Sequence, residues 1–160
     1  MKGIAMKQNA LIGLVSLGIF LIVTGCMSLG GAKFPQTTSG FQPKKVYDKT
    51  YDQVWTSVRR VLETERIGIA SSDKEGGRMV TDHVQGETQL IGAGLLGGIT
   101  TRYSYTITLD KVSKNQMRVG ILCKLESMSE GLGWHDVSKD NQALVKNLES
   151  WLYERIEASL

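Results

Sequence analysis

An α+β domain, with an antiparallel sheet of about four strands packed against two amphipathic helices, is predicted by three features of this 160-residue chain. Apolar residues recur at helical spacing from Tyr51 onward, two later segments alternate apolar with polar residues, and a second helical stripe closes the chain. Two one-faced helices and a one-faced meander each need a partner for their apolar side, and stacking helices on sheet supplies it.

The first helix starts near Thr50. Thr50-Tyr51-Asp52-Gln53 fits a capping box, in which the hydroxyl and the glutamine side chain serve backbone amides of the opening turn. Tyr51, Val54, Trp55, Val58, Val61 and Leu62 then form one broad apolar face, with Arg59, Arg60, Glu63 and Glu65 mostly on the wet side. Two short strands are expected over 67–72 and 78–84, split by the turn Asp73-Lys74-Glu75-Gly76-Gly77, whose glycines permit positive φ. In 102–110, Tyr103, Tyr105, Ile107 and Leu109 alternate with polar partners. In 117–126, Met117, Val119, Ile121, Cys123 and Leu125 do the same, so the two segments read as a hairpin with matching inner faces. The last helix, capped near Ser138 or Asp140, carries Leu144, Leu148, Trp151, Leu152 and Ile156 on one stripe.

The N-terminus has a different character. Lys2 and Lys7 precede an apolar run over 10–23, and Val23-Thr24-Gly25-Cys26 follows at once. Basic residues held on the cytoplasmic side, a short apolar core and small residues at the cut are the marks of an export signal. The segment resembles a bacterial lipoprotein signal peptide with its lipobox, which implies cleavage between Gly25 and Cys26 and a covalent lipid on Cys26. An uncut membrane anchor is the competing reading, since the run approaches the length of a spanning helix. Met27, rather than an aspartate, follows the cysteine, and in a Gram-negative envelope this resemblance points to the periplasmic face of the outer membrane. In any other envelope the implied location is the cell membrane.

Three regions follow: a signal peptide over 1–25, a lipidated N-terminus and tether over 26–45, and a single domain over 46–160. Cleavage leaves 135 residues, enough for one small domain. The tether is rich in Gly, Ser, Thr and Gln, and its flexible part has an r.m.s. reach of roughly 20 to 25 Å. Loss of Lys2 and Lys7 leaves 17 basic against 16 acidic residues, so charge gives no support to a nucleic-acid partner. With Cys26 alkylated, Cys123 has no intramolecular partner, and the fold is expected to rest on its core without disulfides.

The order of helix, strands and long C-terminal helix resembles the BamC-like helix-grip domains of outer-membrane lipoproteins. The resemblance is carried by Tyr51-Asp52-Gln53-Val54-Trp55, Ser72-Asp73, Gly77-Arg78-Met79-Val80 and Arg102-Tyr103-Ser104-Tyr105, and covers most of 46–160. It implies a structural or accessory role in the envelope, because none of these motifs is a catalytic signature.

Several segments invite chemistry. Gly92, Gly94 and Gly97 match a dinucleotide fingerprint in spacing, but a strand follows them where the fingerprint needs a helix N-terminus. The same segment carries Leu90, Ile91, Leu95, Leu96 and Ile99, which form either a candidate docking loop for lipid or a partner, or a hairpin connection folded back over the sheet edge. Cys123 falls on the inner face, where burial disfavours the thiolate, so a nucleophile with His83 or His135 as base is a poor fit. Asp82-His83 and His135-Asp136 do not converge on one metal, because adjacent strand residues point to opposite faces. Trp134 is expected as a lid over the core.

The expectation is therefore a non-enzymatic, membrane-anchored lipoprotein acting as an envelope accessory or protein-binding module, with no cofactor beyond its lipid and an envelope protein as partner. The alternative is a small-molecule or lipid binder with an apolar cavity lined by Tyr103, Tyr105, Met117 and Trp151. A hydrolase using His83 or His135 fits least well.

Overall fold

The computed structural model describes residues 44–90, 98–129 and 133–160. The expected signal peptide, Cys26 and most of the expected tether lie outside the described residues. Among these residues, seven strands form one antiparallel sheet, with two helices, so the expected class holds while the expected strand number is too low.

In chain order the elements are β1 (Lys44–Tyr47), α1 (Tyr51–Thr64), β2 (Ile69–Asp73), β3 (Arg78–Thr81), β4 (Val84–Leu90), β5 (Gly98–Ser113), β6 (Gln116–Ser129), β7 (His135–Asp136) and α2 (Gln142–Ser159). The sheet runs β1-β6-β5-β3-β2, with β4 also paired to β5 and β7 to β6. The β5–β6 hairpin is its spine. Tyr103 faces Leu125, Tyr105 faces Cys123, Ile107 faces Ile121 and Leu109 faces Val119, which places the apolar residues of the two alternating segments on one side, Leu122 excepted. That side is buried under both helices, and Cys123 is 2% exposed.

α1 opens as its sequence predicts. Thr50 N–H donates to Gln53 Oε1 at 3.0 Å, and Val54, Trp55, Val58, Val61 and Leu62 are buried. The chain leaves the helix through Arg66, whose φ of 57° lies in the left-handed region. Ile67 N–H reaches Leu62 O at 2.7 Å and Arg66 N–H reaches Glu63 O at 3.0 Å, the two bonds of a Schellman ending, with Leu62 and Ile67 both buried. The following turn also behaves as expected: Gly77 has φ 66°, and a Cβ there would lie 2.5 Å from Leu109 O.

Three strands, β1, β4 and β7, were not anticipated. The strand expected over 78–84 breaks after Thr81, where Thr81 Oγ1 accepts the Tyr105 N–H at 2.8 Å and Asp82 N–H turns to Gly68 O at 2.9 Å. The chain resumes as β4, so β5 is long enough to pair with β3 at 106–108 and with β4 at 98–103. β1 takes in Lys44 and Lys45, expected at the end of the tether, which pair with Gly120 and Val119. Its inward positions are Lys45 and Tyr47; Lys45 Nζ lies 2.7 Å from Glu157 Oε2 on α2, so an ion pair fills a position where periodicity requires an apolar residue. β7 is only two residues long.

α2 begins later than expected, with Asn141 at its N-cap. Ser138 is occupied elsewhere: its Oγ accepts the Leu125 N–H at 2.9 Å. This bond is one of three along the stretch of β6 that lies between β1 and β7. There Ile121 N–H donates to Tyr153 Oη at 2.9 Å and Cys123 N–H donates to Glu149 Oε1 at 2.8 Å. Burial raises the Glu149 carboxyl above its ordinary range, opposed by the Cys123 amide. The unfolded chain therefore releases this proton first, and stability declines as pH rises from the ordinary glutamate value toward the raised one. Glu149→Gln, which keeps an acceptor oxygen without the charge, is expected to abolish that decline and to be at least as stable as wild type at neutral pH. Glu149→Ala is expected to cost about 1–3 kcal/mol by orphaning the amide. Urea melts of the three proteins across the acid-to-neutral range check both outcomes.

Candidate functional site

Both helices cover one face of the sheet, so the opposite face is the natural place for a site. On it Leu122 is 66% exposed, and it borders an open depression of about 530 Å³ lined also by Thr106, Lys124, Asp136 and Ser138. An exposed leucine in the middle of a strand gains nothing for the fold, whereas burying it against a partner would contribute about 1.5–3 kcal/mol.

Beside this depression sits a charged cluster built across three strands and a connection. Register places Arg102 of β5 opposite Glu126 of β6, and Asp136 of β7 on the other side of Glu126. Glu126 Oε2 lies 2.8 Å from Arg102 Nε and 3.0 Å from His83 Nε2, and Oε1 lies 2.7 Å from Lys124 Nζ. The Arg102 guanidinium also covers the Trp134 ring at 3.9 Å. Trp134 is thus no lid over the core; it buries the side of Arg102 on the opposite face.

The Lys124 hydrogen bond is the main reason that the Glu126 carboxyl is held below its ordinary range, with Arg102 adding to it and burial working against both. The same bond raises Lys124. Hydrogen bonds from Ser138 hold Asp136 low. A carboxylate clamped by this many donors is a poor general base, since its lone pairs are already engaged. Cys123 lies across the sheet from His83, facing the helices, and burial pushes its thiol far above the ordinary value. Sheet parity therefore separates the thiol from this imidazole, and no Cys–His pair forms here. Among the described residues no group of three or more His, Cys, Asp or Glu is arranged to hold a metal ion.

The other predicted site residues fall as follows. Gly25, Cys26, Ile91, Leu95 and Leu96 lie outside the described residues. Leu90 ends β4 and pairs with Gly98, and Ile99 pairs with Gln89. Ile99 is half-buried. The cavity-lining candidates Tyr103, Tyr105, Met117 and Trp151 are all in the packed core, and Tyr105 Oη donates to Leu148 O at 3.2 Å. The Glu126 cluster was missed because its members read singly as wet-face residues. The signal was present in the hairpin: once the turn at 111–116 sets the register, Arg102 and Glu126 are cross-strand partners of opposite charge.

Residues 41–154 match the family described as the outer membrane protein assembly factor BamC-like N-terminal domain. The chain belongs to this BamC-like family. No curated protein matches the chain. Among solved structures it is similar to a DUF4468 family protein from Bacteroides ovatus, with 15% identity, a TM-score of 0.37 and coverage of 72% of this chain and 77% of that one. That likeness is too distant to bear on function. The BamC-like match is consistent with envelope association and with an accessory or protein-binding role.

Glu126 contributes stability that is present above its unfolded value and lost as pH falls through the depressed folded one. Glu126→Gln is expected to cost about 1–3 kcal/mol at neutral pH, because Arg102 and Lys124 lose the carboxylate charge that they share, and to flatten the acid side of the stability profile. Chemical denaturation of both proteins at several pH values measures each effect.

Proposed function

We propose that this BamC-like protein is a non-catalytic lipoprotein, held by a diacylglycerol-modified Cys26 at the periplasmic face of the outer membrane, where its domain docks an envelope protein. The observation that carries the reading is the one-sided sheet. Two helices bury one face, while the other offers an exposed Leu122 beside a rigid cluster of charge. Such a surface suits recognition: the apolar contact supplies affinity and the clamped Glu126 network supplies a fixed polar rim. The family description, that of an outer membrane protein assembly factor, supports an envelope protein as the occupant.

The anchor and the tether complete the mechanism. A lipid restricts the domain to one membrane surface, and a tether with a reach of roughly 20 to 25 Å keeps it beside other membrane-bound proteins, where high effective concentration lets modest contacts suffice. The apolar residues of 90–99 are a second candidate contact.

Acyl labelling and membrane fractionation of wild type and Cys26→Ala test the anchor: the wild type is expected to be labelled and membrane-bound, and the variant to be neither. A photo-crosslinker at Leu122, compared with one at Leu95, tests the docking face. A discrete crosslinked envelope protein from Leu122 supports the reading. An unlabelled Cys26, or no adduct from either position, defeats it.

A further inference from the structure

At the far edge of the sheet from β1, the strand β2 and the helix α1 leave a groove of about 650 Å³. Its floor is apolar, formed by Trp55, Ile67 and Ile69. Its wall is one side of α1, where Arg59 and Arg60 are exposed and, among the described residues, make no ion pair or hydrogen bond. Lys74 at the end of the groove is engaged by Asp52 at 2.8 Å, and Glu63 is the lone carboxylate among the lining residues.

The strand beside this groove is an open sheet edge. β2 pairs with β3 on one side only, and its central residues are Ala70, Ser71 and Ser72, all exposed, with no lysine or proline among them; the pairing shifts register once, between Ile69 and Ser71. Ser72 lies opposite Met79, so it is on the helix-bearing face. Met79 is fully buried there, yet Ser72 is exposed, which marks where the cover of α1 stops short of the edge. A further strand laid against β2 would satisfy the edge and place alternate side chains in the groove, over the apolar floor and against two free guanidinium groups.

We infer that this groove binds an extended segment of a partner polypeptide by strand addition to β2, and that the segment carries carboxylate side chains at alternate positions to meet Arg59 and Arg60. Backbone pairing supplies a sequence-tolerant part of the affinity, and the arginines select for acidic residues through forked hydrogen bonds. This site is on the opposite edge from β1 and does not depend on the lipid anchor or on Leu122.

A displayed library of short random linear peptides, selected on the domain and counter-selected on the Arg59→Glu, Arg60→Glu double variant, tests it. The selected peptides are expected to be rich in Asp and Glu at every second position, and to bind the double variant about tenfold or more weakly. They should also slow hydrogen exchange of the β2 amides 70–72. Both arginines are exposed, so the double variant is expected to melt as wild type does, and its melting curve separates lost binding from lost folding. Peptides without carboxylates, protection confined to other strands, or equal binding to the double variant would overturn the proposal. So would failure to enrich any peptide while vesicles of anionic phospholipid bind through the same arginines.

Discussion

The stretch of β6 between its two short partners is the constraint on which the rest of the structure depends. β1 covers β6 only up to Gly120 and β7 covers it only from Glu126 onward, so the amides of Ile121, Cys123 and Leu125 face neither strand. Buried amides left without acceptors would each cost on the order of 1–3 kcal/mol. Three side chains close the gap: Tyr153, Glu149 and Ser138. The fit is geometric. Positions four apart on a helix are separated by about 6 Å along its axis, close to the roughly 6.8 Å between positions two apart on a strand. Glu149 and Tyr153 therefore keep step with Cys123 and Ile121, and the next position in the series, Glu157, meets Lys45 of β1. The helix stands in for a missing strand, and its rotation and position along its axis follow from these bonds as much as from Leu148, Leu152 and Ile156 packing beneath it.

Once α2 is held at this edge, it and α1 share one face of the sheet, and Ser57 of α1 and Glu65 just after it are joined to Ser159 and Arg155 of α2. The other face is then left to solvent, so its side chains answer to different demands. Glu126 illustrates the outcome: a nearly buried carboxylate is stable there because Lys124, Arg102 and His83 surround it, and Trp134 shields the arginine. The cluster makes the strand ends rigid and polar around Leu122. An accessory domain needs such a surface more than it needs a catalytic centre, and a lipid anchor would make even modest affinity useful.

Much of this was legible in the chain. The Thr50–Gln53 cap, the Gly77 turn, the β5–β6 alternation and the inward Cys123 all follow from local rules, since each depends on residues near one another in sequence. What escaped was non-local. Lys45 looked like tether because its partner is Glu157; Ser138 looked like a helix cap because its partner is Leu125; Trp134 looked like core because its neighbour Arg102 sits on a strand 32 residues earlier in the chain.

By itself the sequence determined the class of the fold, the helix start, the paired central strands and the lipoprotein-like N-terminus, because periodicity, capping and short motifs are written in consecutive residues. Only the tertiary structure decided that seven strands form where about four were expected, that α2 seals the β6 edge, that Arg102, Glu126, Lys124 and His83 meet, and that Arg59 and Arg60 overlook an open strand. Those outcomes depend on which distant groups find each other when buried backbone and charge must be satisfied together, and no window along the chain contains that information.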